Sequence, residues 1–179
     1  NVSVVELSGS PATRIPPTTD RGAVERSIQS LELEDGTAIG DALELALQAA
    51  ADAPVSEGED PAPAMIVLLS DGQNSEGADP ANAVALAKSD EIPIYTIAYG
   101  TENGYVDLDG VRERVPPDRK LMDEIATATG AKSVDAASAS ELKDAYKDIG
   151  SDIGYEEVKK PVTARYAFGA LGFAIVAAL

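Results

Sequence analysis

The chain's 179 residues, 44% of them hydrophobic, suffice for one globular domain with a real core. With 31 Asp and Glu against 14 Lys and Arg, the formal net charge is −17. That sign repels nucleic acid and suits divalent cations, basic partners or a salty medium, or simply a solvated acidic surface. Neither Cys nor His occurs. Disulfides, Cys-ligated zinc, thiol catalysis and Ser-His-Asp triads are therefore excluded within the chain, and any acid–base work falls on carboxylates, Lys or Tyr.

In chain order, Val2 to Leu7 reads as a strand. "SGS" turns it, and "ATRIP" returns as a short antiparallel edge strand closed by Pro16 and Pro17. Asp20 caps a helix reaching Leu31, with Val24 and Ile28 on one face. A second helix spans Ala38 to Ala51, with Ile39, Leu43, Ala46, Leu47 and Ala50 at helical spacing. After the acidic, Pro-rich "DAPVSEGEDPAP", Met65 to Leu69 is an apolar run that reads as a strand buried on both faces. Asp79 and Pro80 start the next helix, faced by Val84 and Ala87 or Lys88. "IPIYTIAYG" is another doubly buried strand. "GYVDLDGVRERVP" follows as a small hairpin with Asp109-Gly110 at its tip. Pro117 and Asp118 open a helix through Thr129, stopped by Gly130, and "KSVDAA" is a short strand. Ser138 or Ser140 caps a last helix, with Leu142, Tyr146, Ile149 and Ile153 inward.

"YEEVKKPVTAR" links that helix to an apolar run, Tyr166 to Leu179, without charge. The run is shorter than the roughly 20 residues of a membrane-spanning helix and reads as the start of one, against a buried terminal helix as the alternative. The expected organisation is thus an α/β domain over 1–153, a juxtamembrane linker over 154–164 and the start of a truncated transmembrane helix over 165–179. Lys159, Lys160 and Arg165 before the run favour a domain facing the cytoplasm.

Apolar strands alternating with helices predict a doubly wound, mostly parallel sheet with helices on both faces and one short antiparallel edge strand. Ligands of such folds sit outside the carboxyl ends of the strands. Asp71, in "LLSDG", stands at such an end, with Ser70 before it and Gly72 fixing where its carboxylate points. An ordinary Asp-Gly turn is the competing reading. Thr37, in "DGTAIGDALELA", stands just before a helix. Its hydroxyl either caps that helix or faces the crevice. Gly40 leaves room there for a close approach.

"TAIGDAL", Thr37 to Leu43, followed by "IVLLSDG", Ile66 to Gly72, resembles the von Willebrand factor type A (VWA) family, with its T-x-x-G-x-A-L stretch and a strand ending in S/T-D-G. The resemblance covers Val2 to Ile153. The hairpin after Gly100, the acidic chain and the apolar tail resemble bacterial membrane-anchored members related to the Bat aerotolerance proteins. Those members imply an outward-facing domain. The family implies a Rossmann-like fold and a metal-ion-dependent adhesion site with ligands on three loops: an Asp-x-Ser-x-Ser loop after the first strand, a Thr and an Asp. Thr37 matches the second loop and Asp71 the third, with Gly40, Ser70 and Gly72 as loop support. The first loop has no counterpart. "ELSGS", Glu6 to Ser10, has its look but falls in the hairpin turn that follows the family's first helix. The resemblance therefore implies a chain that starts after the family's first strand and helix.

The expected cofactor is Mg²⁺, with Mn²⁺ or Ca²⁺ as variants, bound by the full-length protein and weakly or not at all by this chain. Mg²⁺ takes oxygen ligands in octahedral geometry and keeps waters. An open position accepts an acidic side chain from a protein partner, so the implied function is metal-dependent recognition at a membrane, not catalysis. Two other classes remain. One is a receiver-like or phosphohydrolase enzyme using the strand-end aspartate. The other is a metal-independent interaction domain in which Thr37 and Asp71 serve only the backbone.

Overall fold

The computed structural model describes residues 1–32, 35–55, 61–71, 73–101, 105–108, 111–114 and 116–152. The chain divides into two units, Asn1–Ile149 and Gly150–Leu179. The second is described only where the last helix ends. Ile153, the linker over 154–164, the apolar run over 165–179, the hairpin tip at 109–110 and Gly72 lie outside the described residues.

Strand β1 (Val2–Glu6) pairs antiparallel with β2 (Ala12–Thr18). Helices α1 (Arg21–Gln29) and α2 (Ile39–Ala51) follow, then β3 (Ile66–Ser70), α3 (Pro80–Ser89) and β4 (Ile94–Tyr99). The antiparallel hairpin β5 (Tyr105–Leu108) and β6 (Val111–Arg114) leads to α4 (Arg119–Ala128), β7 (Ser133–Ala136) and α5 (Ala139–Asp152). β3, β4 and β7 form a parallel sheet in the order β3-β4-β7, with Ser70 opposite Ala98 and Tyr99 opposite Ala136. The carboxyl ends of β3 and β4 therefore lie side by side.

Local chemistry explains the helix starts. Asp20, Asp79 and Asp118 each accept from a first-turn amide: Ala23 at 3.0 Å, Ala81 at 2.9 Å and Leu121 at 3.0 Å. At α5, Ser138 rather than Ser140 takes the capping role. Its Oγ accepts from Glu141 N at 3.3 Å, while the Glu141 carboxylate reaches back to Ala137 N at 2.7 Å.

The central strand β4 divides its side chains between two cores, as a doubly wound sheet requires. Ile94 and Ala98 join Ile39, Leu43, Leu47, Ile66, Leu68, Ala87, Met122 and Ile125 in a core covered by α2, α3 and α4. Ile97 joins Ala136, Ala145 and Ile149 on the opposite face, under α5. The buried Thr96 hydroxyl is satisfied by donating to Met122 O at 3.0 Å.

Two burial expectations are corrected. Tyr146 does not point inward. It is 47% exposed, because α5 turns Leu142, Ala145 and Ile149 to the sheet and leaves Tyr146 at the flank. Leu69 is 37% exposed, so the apolar run is not buried on both faces along its whole length. The reason is topological: among the described residues β3 has a strand partner on one side only.

Candidate functional site

Three loops meet near the amino end of α2. The β1–β2 turn joins the loop before α2 through Gly9 N to Asp35 O at 3.0 Å and Ala38 N to Ser8 O at 2.9 Å. That loop in turn joins the segment after β3. Thr37 N donates to Ser75 Oγ at 2.9 Å, and Thr37 O accepts from Ser75 N at 2.9 Å and Glu76 N at 3.3 Å. The Glu76 carboxylate lies over two glycines. A Cβ at Gly9 would stand 2.8 Å from its Oε2 and one at Gly36 2.6 Å from its Oε1. Gly36, at φ +81°, also needs the left-handed region that only glycine enters cheaply.

The start of α2 is built from outside the helix. Its N-cap, Ala38, has no side-chain acceptor. Instead Asn74 Oδ1 accepts from Ile39 N at 2.7 Å, across 35 residues of sequence. Asp41 Oδ1 accepts in the other direction from Ala78 N at 3.0 Å. Gly40 lies flat against the Ala78 carbonyl, where any Cβ would overlap the oxygen.

The capping reading of Thr37 is thus overturned. The Thr37 hydroxyl makes no hydrogen bond among the described residues, and the helix is capped by Asn74. Thr37 itself is half-buried. Asp71 is exposed at the end of β3, and its carboxylate has no hydrogen bond or ion pair among the described residues. Ser70 is buried at the last position of the β3–β4 ladder. Gly40 performs the close approach read from the sequence. The hydrogen bonds of the 35–39 and 74–78 segments hold the Thr37 loop against the loop that Asp71 begins.

As donors, a threonine hydroxyl and a carboxylate are the hard oxygens that Mg²⁺ accepts. Two such donors are not a full set for an ion, and among the described residues no three Asp or Glu side chains gather as a metal-holding group. A shallow cleft of about 420 Å³ adjoins the loops on the α2 side, lined by Gly9, Ser10, Pro11, Asp41 and Glu44 among others. It includes neither Thr37 nor Asp71.

Asn74, Ser75 and Asp41 were not singled out from the sequence. "QNSEG" reads as an ordinary polar loop, and Asp41 as a first-turn acid of its own helix. With Thr37 on offer as a cap, the sequence carried no signal that the helix start takes its acceptor from another loop.

Comparison with known proteins identifies the family and the fold. The model of the von Willebrand factor type A domain matches residues 1–148. A UPF0353 protein of Mycobacterium bovis BCG is 36% identical over 186 residues, covering 99% of this chain and 56% of that protein. The chain thus spans little more than half the length of the curated relatives it matches. Among solved structures, BatB from Bacteroides thetaiotaomicron is similar with a TM-score of 0.67 at 19% identity, covering 84% of this chain and 77% of that one. An aerotolerance-related membrane protein from Bacteroides fragilis has a TM-score of 0.64 at 21% identity, covering 83% and 78%. At those identities the likeness is one of fold. The match of the family model over nearly every described element, together with the strand-end aspartate, the threonine loop and the parallel sheet that carries them, places this chain in the von Willebrand factor type A family.

Proposed function

We propose that this domain is a protein-recognition module whose site is completed by a divalent cation, Mg²⁺ or, in its place, Mn²⁺ or Ca²⁺. Thr37 and Asp71 would hold the ion from two loops, and an acidic side chain of a protein partner would fill an open position. The observation that carries this reading is the pair itself. The Thr37 hydroxyl and the Asp71 carboxylate belong to loops braced together, yet neither has an intramolecular hydrogen-bond partner among the described residues. When bound, the ion supplies a Lewis-acidic position for a carboxylate. The chain's own residues supply orientation.

The remaining ligands are proposed to come from an upstream strand and its Asp-x-Ser-x-Ser loop. The two sheets support this. α2 packs on both β1 and β3, while β1 and β3 are not paired with each other and Leu69 is exposed. One further strand between them would bury that leucine and end beside Asp71. Membrane anchoring is proposed from the uncharged run after Arg165 and from the aerotolerance-related membrane protein of similar fold. No described helix is long and apolar enough to cross a membrane.

The test is isothermal titration of Mg²⁺ into this chain and into one extended upstream to restore the missing loop. The extended chain is expected to bind and this chain to bind far more weakly. Equal affinities would refute the shared-site reading. Fractionation of the complete protein with membranes tests the anchor, and its recovery in the soluble fraction would refute that part.

A further inference from the structure

We infer that Asn74 is the positioning residue of this site: it caps α2 from the neighbouring loop and so fixes where Thr37 stands relative to Asp71. The inference deepens the recognition reading above and depends on it only for what the positioning is for.

A helix leaves its first amides without intrahelical partners, and a side-chain acceptor at the N-cap normally satisfies one of them. α2 has alanine at that position and no cap of its own. Its first-turn amide, Ile39 N, is satisfied by Asn74 Oδ1 at 2.7 Å. In an ordinary capping box the third helical residue reaches back to the N-cap amide. Here that residue, Asp41, reaches Ala78 N at 3.0 Å instead. The reciprocal pair of a capping box is thus divided between two loops, and each loop closes the other's open backbone groups. Thr37, two residues before Ile39, and Ser75, next to Asn74, add the two-way contact already described. Gly40 sets the spacing, because its missing side chain lets the Ala78 carbonyl touch the helix. Asparagine suits the role because it offers the oxygen without charge in a segment already carrying Asp71, Glu76 and Asp79.

The experiment is amide hydrogen exchange by NMR on the full chain without metal. In Asn74→Ala, exchange at Ile39 is expected to rise about five- to tenfold, the equivalent of a lost cap of about 1 kcal/mol. Thr37 and Asp71 resonances are expected to shift, while Ile97 in β4 keeps its protection. Asn74→Asp retains the acceptor and is expected to restore Ile39. Asp41→Ala is expected to raise exchange at Ala78 and serves as the independent variant should Asn74→Ala unfold. Unchanged Ile39 exchange in a folded Asn74→Ala, or failure of Asn74→Asp to restore it, overturns the inference. So does a rise at Ile39 no larger than at Ile97. No metal enters this measurement. If Mg²⁺ titration fails while Ile39 responds, the recognition reading falls and the positioning role of Asn74 stands.

Discussion

Thr37 and Ser75, 38 positions apart, are hydrogen-bonded in both directions: Thr37 N to Ser75 Oγ and Ser75 N to Thr37 O, each at 2.9 Å. Ser75→Ala removes the first bond and keeps the second. Because Thr37 is only half-buried, water partly replaces the lost acceptor, and the expected loss is about 1 kcal/mol in urea unfolding. A change below the error of the extrapolation would mean that the hydroxyl contact contributes nothing to stability.

Thr37→Ala and Asp71→Ala are expected to leave stability within about 0.5 kcal/mol of the parent, since neither side chain is hydrogen-bonded among the described residues and neither caps a helix. In the chain extended upstream, Asp71→Ala is expected to abolish Mg²⁺-dependent partner binding. Thr37→Ala should only weaken it, because a carboxylate contributes charge and a hydroxyl does not. Partner binding that survives Asp71→Ala would reduce this aspartate to the end of a strand.

Gly40→Ala opposes two effects. Alanine is favoured over glycine in a helix by about 1 kcal/mol. Its Cβ, however, would overlap the Ala78 carbonyl, a backbone atom that no rotamer change can move aside. The overlap is expected to win, with a net loss of about 1–3 kcal/mol and a lower Tm. A stabilised variant would show that the β3–α3 loop yields freely.

One face of the sheet offers a contrast in packing between its central strand and its open edge, since Ile97 and Leu69 are paired neighbours on β4 and β3. Ile97 is fully buried in the central strand, and Ile97→Ala is expected to cost about 2–5 kcal/mol in urea unfolding. Leu69→Ala, on the open side of β3, is expected to cost well under half as much in this chain. In the chain extended upstream the Leu69 cost should rise toward a core value. If it does not, the proposed strand does not cover Leu69.

At the flank of α5 Tyr146 is 47% exposed but still partly desolvated, which raises its phenol above the ordinary value of 10.0. The neutral form is thus favoured in the folded state, and the unfolded chain loses this proton first. The stabilising contribution is complete below about pH 10 and is lost as pH climbs through the raised folded value. Tyr146→Phe is expected to flatten part of the alkaline fall in Tm. An alkaline limb identical to that of the parent would mean that Tyr146 titrates alike in both states.

The order of elements was legible in the residues alone, because it rests on local chemistry. Asp20, Asp79 with Pro80, Asp118 and Ser138 announce helix starts through bonds spanning only a few residues. The apolar runs of β3 and β4 announce parallel strands because both their faces need cover. The positions of Thr37 and Asp71 were legible for the same reason, each being tied to the end of an element. Three things were decided only by the tertiary structure. Thr37 is not a cap, since Asn74 arrives from another loop to do that work. Tyr146 is a flank residue, since the sheet selects which stripe of α5 it receives. Leu69 is exposed, since its cover depends on which strand stands beside β3. In each case the deciding contact joins residues distant in sequence, and periodicity and capping patterns carry no information about bonds that only the folded chain brings within reach.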